Sequence, residues 1–236
     1  MTVLFGDGIE GLKSLDPGSV GLILSDLPSG ETRAAFDRKA DLKALWPAVW
    51  RALRSDGLCL LMASSLSFAA EVRASQLDAY RYERIWLKTI ATGHLNAKHR
   101  PLRIHEYVLI FWRVEGVYTP QMTMGHKPIH ACHRTSHSEN YGAFSRATDS
   151  RAGATDRFPT SVLEFASVGT TSAERIHPQQ KPVDLLTNLI LTYSRPGDLV
   201  ADPYAGSGST GEAANRCGRR SVLWDSCQRF GAVCDP

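Results

Sequence analysis

Two stretches of the sequence carry side chains whose type and spacing suit chemistry. The first is Ser25-Asp26-Leu27-Pro28-Ser29-Gly30. It closes residues 19–25, a nearly continuous apolar run that predicts a parallel strand covered on both faces. An acid that ends such a strand, followed by a rigid Pro and a Gly, stands at a loop mouth where a carboxylate can meet a ligand. The second stretch is Gly206-Ser207-Gly208-Ser209-Thr210-Gly211, a G-x-G-x-x-G pattern between a predicted strand and a predicted helix, with Asp225 closing the next strand. Glycines in that place let a ligand approach the backbone, and the acid can accept from ribose hydroxyls. Strand, glycine turn, helix and acid together predict a nucleoside-containing ligand; a tight strand-to-helix turn without a ligand is the plain alternative.

The elements that must position these groups are legible from periodicity. Residues 2–5, 58–63, 80–88 and 105–112 predict strands, and 198–204 and 221–225 predict the pair that brackets the glycine turn. Helices are predicted over 9–15, 41–54, 67–77 and 183–193, and after the glycine turn. In 41–54, Leu42, Leu45, Trp46, Val49, Trp50 and Leu53 recur at helical spacing, with Pro47 expected to kink the helix or mark its first turn. Val183, Leu185, Leu186, Leu189, Ile190 and Tyr193 mark one face of another helix, with Pro182 near its start and Pro196-Gly197 after its end. Strands alternating with helices predict an α/β fold with a doubly wound, mostly parallel sheet. From 114 to 175 the periodicity fades, which predicts an irregular insertion within a single domain spanning 1–236.

Composition narrows the class. The 236 residues are 43% apolar and 22% charged, an ordinary soluble balance that excludes a disordered or membrane-embedded chain. No apolar run approaches the ~20 residues needed to span a bilayer, and the start of the chain lacks a signal peptide's features, so a cytoplasmic location is expected. The odd count of five cysteines, with no CxxC pair, predicts reduced thiols. A net charge of +3 is mild, but Lys and Arg outnumber Asp and Glu two to one between residues 81 and 157. That stretch also holds all but one of the eight histidines, so it suits a surface facing a polyanion, with a merely solvated loop region as the alternative.

After Asp225 the chain offers no room for the further strands of a dinucleotide fold, so they must come from the N-terminal part. The nucleotide-binding half is last in sequence, an order that argues against a dehydrogenase. Order and motifs together resemble the β-group of S-adenosylmethionine-dependent DNA amino-methyltransferases, and more closely the short phage- and prophage-type DNA adenine methylases. The matching residues are GDGIEGLKSL (6–15) and SVGLILSDLP (19–28), then KTIATGHLNAKHRPLRIHEYVLIFW (88–112). HPQQKP (177–182), GDLVADPYAGSGSTG (197–211) and GRRSVLWD (218–225) complete them. The resemblance covers roughly residues 2–113 and 160–226. It implies a Rossmann-like, circularly permuted methyltransferase fold with 114–175 as target-recognition insertion. It also implies S-adenosyl-L-methionine as cofactor, DNA as partner in a restriction-modification setting, and methylation of an exocyclic amino group of a flipped base. A loop that starts with Asp points to adenine N6; cytosine N4 is the alternative. A homodimer and a partner nuclease both stay open.

By this resemblance the Asp26 carboxylate accepts one amino hydrogen, the Leu27 carbonyl accepts the other, and Pro28 keeps the loop rigid. Asp7, Gly8 and Ile9 match the segment that meets the cofactor's adenine, with Ile9 packing on the ring. Asp202, Gly206, Gly208 and Thr210 match the loop around its methionine portion, Tyr204 stands in the aromatic position, and Asp225 falls at the ribose acid. His177 and Lys181 match a segment that closes over the cofactor, where Lys181 is expected to neutralise its carboxylate. Lys88, Lys98, His99, Arg100, Arg103, Arg134, Arg146 and Arg151 are candidate DNA contacts, and Asn96 a candidate for the target pocket.

Ser29 is the departure, because the family places an aromatic there to stack on the flipped base. Phe36, or an aromatic from the insertion, is expected to cover the base instead. A catalytically weakened DNA- or cofactor-binding protein is the alternative. His126, His130, Cys132, His133 and His137 are of types that zinc accepts, but no CxxC anchors them and the resemblance calls for no metal.

Overall fold

The computed structural model describes residues 3–34, 37–129, 151–169, 177 and 179–226. The apolar runs and amphipathic segments alternate as β1 (Val3–Phe5), α1 (Gly8–Ser14), β2 (Val20–Asp26), α2 (Leu42–Ala52), β3 (Leu53–Ala63) and α3 (Leu66–Ser75). There follow β4 (Tyr80–Thr92), β5 (Arg103–Phe111), β6 (Val162–Glu164), α4 (Val183–Tyr193), β7 (Leu199–Asp202), α5 (Ser209–Arg216) and β8 (Arg220–Asp225). Caps set several helix starts: the side chain of Asp7 accepts from the Ile9 and Glu10 amides, that of Asp41 from Ala44 N, and that of Ser65 from Phe68 N. Pro47 lies inside α2 rather than in its first turn, and the helix continues past it to Ala52.

The strands form one sheet in the order β1-β8-β7-β2-β3-β5-β4-β6. The first five are mutually parallel; β5 runs antiparallel to both β3 and β4, and β6 parallel to β4. This is the expected doubly wound, mostly parallel sheet, and β7, late in sequence, lies directly against β2. Side chains alternate between its faces. Ile23 of β2 packs with Leu12, Leu45, Val49 and Phe68 of α1–α3, whereas Leu22 and Leu24 pack with Leu185, Leu186 and Leu189 of α4. Both faces are therefore buried, which is why β2 reads as a nearly continuous apolar run.

The described chain divides into two compact units, Met1–Thr119 with Ser161–Pro236, and Pro120–Thr160. The ends of the stretch expected as an insertion belong to the sheet-bearing unit. There the Thr119 amide donates to the Thr192 carbonyl at 2.8 Å, and Val162–Glu164 pair with β4 as a strand that periodicity missed. The smaller unit is held by a bridge between Thr123 and Arg157, by the Arg151–Asp156 ion pair at 2.7 Å, and by the Arg151 guanidinium over Phe158. Among the described residues no helix is long and apolar enough to cross a membrane.

Candidate active site

Four acids stand at the carboxyl ends of four neighbouring parallel strands. Asp7 follows β1, and Asp225, Asp202 and Asp26 close β8, β7 and β2. Open α/β sheets bind ligands in the crevice at this edge. One pocket there is lined by all four, with Gly8, Leu27, Pro28, His177, Lys181, Tyr204, Gly206 and Thr210. The sheet thus brings together nearly every residue singled out for catalysis or cofactor binding. Ile9, Ser29 and Gly208 are not in the lining; Ile9, in the first turn of α1, is 8% exposed and belongs to the core shared with α2 and α3.

The side of the pocket formed after β7 is built by hydrogen bonds within the loop. Gly206 and Gly208 have φ of +51° and +77°, in the left-handed region where a side chain is disfavoured. The Gly206 amide donates to Asp225 Oδ2 at 2.8 Å, joining the turn to the end of β8. Asp202 is consumed internally: Oδ1 accepts from the Ser25 hydroxyl at 2.6 Å and the Tyr204 amide at 3.0 Å, and Oδ2 from the Thr210 hydroxyl at 2.6 Å. Burial without a counter-ion pushes its pKa up to about 6, against the pull of those donors. Burial likewise pushes Tyr204 up to about 12.

These residues fit S-adenosyl-L-methionine. Helix α5 has Gly208 as its N-cap, which offers no side-chain cap, so its first-turn amides can meet a carboxylate. The acids after β1 and β8 supply acceptors for amino and hydroxyl groups. The His177 ring lies 3.9 Å from where a Cβ on Gly206 would stand, so a side chain at 206 would fill the cradle.

The side formed after β2 is wired by charge. Asp26 Oδ2 lies 2.5 Å from Lys181 Nζ, and among the described residues Lys181 is its one side-chain partner. A quarter of the Asp26 side chain (26%) remains accessible, at the floor of the recess. Burial lifts its pKa above the usual carboxylate range, with Lys181 opposing and Glu106 adding to the rise. Burial would lower the Lys181 pKa, but Asp26 and Glu106 outweigh it and the ammonium stays charged. This differs from the expectation that Lys181 meets the cofactor's carboxylate: two protein carboxylates already hold it.

The loop beyond Asp26 is stapled by Asp37, whose two oxygens accept from the Gly30 and Thr32 amides at 2.8 Å each. Burial would raise the Asp37 pKa, but the Thr32 hydroxyl and the backbone amides outweigh it and hold it low. The Ser29 hydroxyl accepts from the Glu31 amide at 3.2 Å, so the short side chain serves the turn. Among the lining residues, only Tyr204 and His177 bring aromatic rings.

Lys88, expected at the DNA surface, is 7% exposed and its ammonium lies 3.0 Å from Glu106 Oε1, so it does not reach a phosphate. Asn96, Lys98, His99 and Arg100 are exposed on the connection between β4 and β5, outside the pocket, so Asn96 does not line it. Arg103, at the start of β5, donates to the Ser64 carbonyl at 2.7 Å. Arg151 is taken up by Asp156 within the smaller unit. Phe36, Arg134, Arg146, His130, Cys132, His133 and His137 lie outside the described residues.

Periodicity missed Ser25, Asp37 and Glu106. Glu106 carried the one available signal, an acid immediately before the apolar run that ends β5.

Comparison with known proteins agrees with this geometry. DNA adenine methyltransferase YhdJ of Escherichia coli (strain K12) is 26% identical over 240 residues, spanning 94% of this chain and 76% of that protein. The M1.HpyAVI–SAM complex shares the fold with a TM-score of 0.64 at 17% identity, covering 97% of this chain and 94% of that one. The cytosine-N4-specific PvuII DNA methyltransferase superposes with a TM-score of 0.65 at 16% identity, over 98% and 85% of the two chains. Residues 46–230 match the DNA methylase family N6_N4_Mtase, and the chain belongs to that family.

Proposed function

We propose that this chain, an S-adenosylmethionine-dependent DNA amino-methyltransferase, methylates adenine N6, and that it is of the short phage- and prophage-type β-group. One observation carries the reading: the Asp26 carboxylate at the end of β2 opens into the same pocket as the glycine turn after β7. An Asp rather than a Ser at the head of the loop, and a relative named as an adenine methyltransferase, favour adenine over cytosine.

S-adenosyl-L-methionine, when bound, supplies a methyl group already activated on a sulfonium. The chain's own part is positioning and electrostatics. Lys181 holds Asp26 Oδ2, which leaves Oδ1 to accept one amino hydrogen, while the Leu27 carbonyl accepts the other. With both hydrogens held, the nitrogen lone pair points away from its acceptors and toward the methyl donor. Pro28 and the Asp37 staple keep that loop from moving as the base arrives.

The base must leave the duplex to reach the recess. The exposed Lys98, His99 and Arg100 then take the DNA backbone, and residues 114–175 act as target-recognition insertion. The free thiols of Cys59 and Cys217 suit a reducing cytoplasm.

Labelled-methyl transfer to unmodified DNA, with base-resolved detection and Asp26→Ala as control, tests the proposal. Label on cytosine N4 would overturn the base assignment. No label on varied DNA, from protein that binds the cofactor, would favour a silent binding protein.

A further inference from the structure

The charge network behind Asp26 continues past Lys181. Glu106, 8% exposed, places Oε1 3.0 Å from Lys88 Nζ, and Oε2, otherwise without a hydrogen-bond partner, 3.2 Å from Lys181 Nζ. Four charges of alternating sign, Lys88, Glu106, Lys181 and Asp26, run from the buried interior to the pocket floor.

Strand parity explains the row. Trp86 pairs in register with Glu106, and Trp86, Val108, Ile110, Leu22 and Leu24 all belong to the core on the α4 face. Lys88, Glu106 and Asp26 continue these alternations by two residues, so each lies at the rim of that apolar field. Lys181 enters just ahead of α4, which covers the same face.

Buried charges are costly to remove from water and are retained where they are fully paired. A closed pair would suffice to satisfy Lys88. This network instead leaves one Glu106 oxygen to a second lysine, whose other partner is the acceptor for the substrate's amino group. We propose that Glu106 is a positioning residue: it anchors the Lys181 ammonium against Oδ2 of Asp26 and so fixes the carboxylate's rotation toward the target amine. Lys88, behind Glu106, holds the anchor in turn. The inference rests on the methyltransferase reading of the same pocket.

The charged groups facing Asp26 are Lys181 ahead of α4, Glu106 of β5 with Lys88 of β4 behind it, Asp37 of the loop and Asp202 of β7. Glu106 is an anion close to Asp26, so removing its charge makes Asp26 easier to ionise.

The test is Glu106→Gln in the full chain, with kcat, KM for DNA, cofactor affinity, and the titration of Asp26 followed by carboxyl carbon NMR, assigned with Asp26→Asn. The expected result is a kcat at least tenfold lower, with cofactor and DNA affinities within threefold of the parent. The Asp26 titration, and the acid limb of kcat with it, should move to lower pH. Lys88→Met combined with Glu106→Gln removes the lysine that the single change strands. It should recover the parent's thermal midpoint but not its kcat.

An unmoved Asp26 titration, a kcat within twofold of the parent, or recovery of kcat in the double variant would each overturn the proposal. The NMR titration needs no turnover. A parent that transfers no methyl to any DNA therefore overturns the function reading, while the titration still judges Glu106.

Discussion

Asp26 and Asp202 end adjacent parallel strands and open into one pocket, yet they are held in opposite ways. Asp26 keeps a quarter of its side chain accessible and is paired with a cation at 2.5 Å. Asp202 is 2% exposed and, among the described residues, is held only by neutral donors, two hydroxyls and an amide. A carboxylate that must receive a substrate hydrogen needs an oxygen left over and a charge it keeps. A carboxylate that shapes a loop needs both oxygens engaged by its own loop, and charge is then a liability. The pocket is therefore divided into a half wired by ions, after β2, and a half wired by neutral hydrogen bonds, after β7. Changes in one half should leave the other's ligand alone.

The largest effect is expected at Asp26. Asp26→Asn keeps the shape and removes the charged acceptor, so methyl transfer should fall by about 10²–10³-fold. Cofactor affinity, measured by calorimetry, should stay within a few-fold. Equal loss of both would break the division into halves.

Asp202 should show its difference as a pH dependence of stability. Burial raises its pKa from 3.8 in the unfolded chain to about 6, so the folded state binds this proton more tightly. That contribution is fully present below the unfolded value and is lost as pH rises through the folded one, about 3 kcal/mol in all. Asp202→Asn abolishes it. The unfolding free energy of the variant minus that of the parent, from urea titrations without cofactor, should climb by about 2 kcal/mol between pH 4 and pH 7. A flat difference would mean that the Ser25 and Thr210 hydroxyls compensate the charge fully.

Ser29→Tyr sharpens the contrast from the substrate side. Base stacking is worth roughly 1–3 kcal/mol, so kcat/KM should rise by about 5- to 150-fold, with cofactor binding unchanged. No change in base capture, followed by 2-aminopurine fluorescence at the target position, would show that another ring already covers the base. Lys98→Ala and Arg100→Ala should do least. Each should flatten the slope of log K for DNA against log salt by about one and leave transfer at saturating DNA intact.

The alternation of strands and helices, the glycine turn and the acids that end the strands were all legible in the sequence. Each is a local property: periodicity records which side of a segment is buried, and a Gly or Pro records a backbone angle. Lys88 shows where that logic stops. In the chain it is a basic residue in a basic stretch, but β-sheet parity turns it inward beside Glu106. Lys181 and Asp26 are 155 residues apart, and their contact depends on the register of β2 and on the path that enters α4.

The sequence by itself therefore determined the fold class, the family and the acids around the pocket. Tertiary structure alone decided which acid is paired with a lysine, which is spent on its own loop, and that Lys181 is held by Asp26 and Glu106. The physical reason is that pairing energies of buried charges fall steeply with distance and desolvation, and neither quantity is written in the order of residues along the chain.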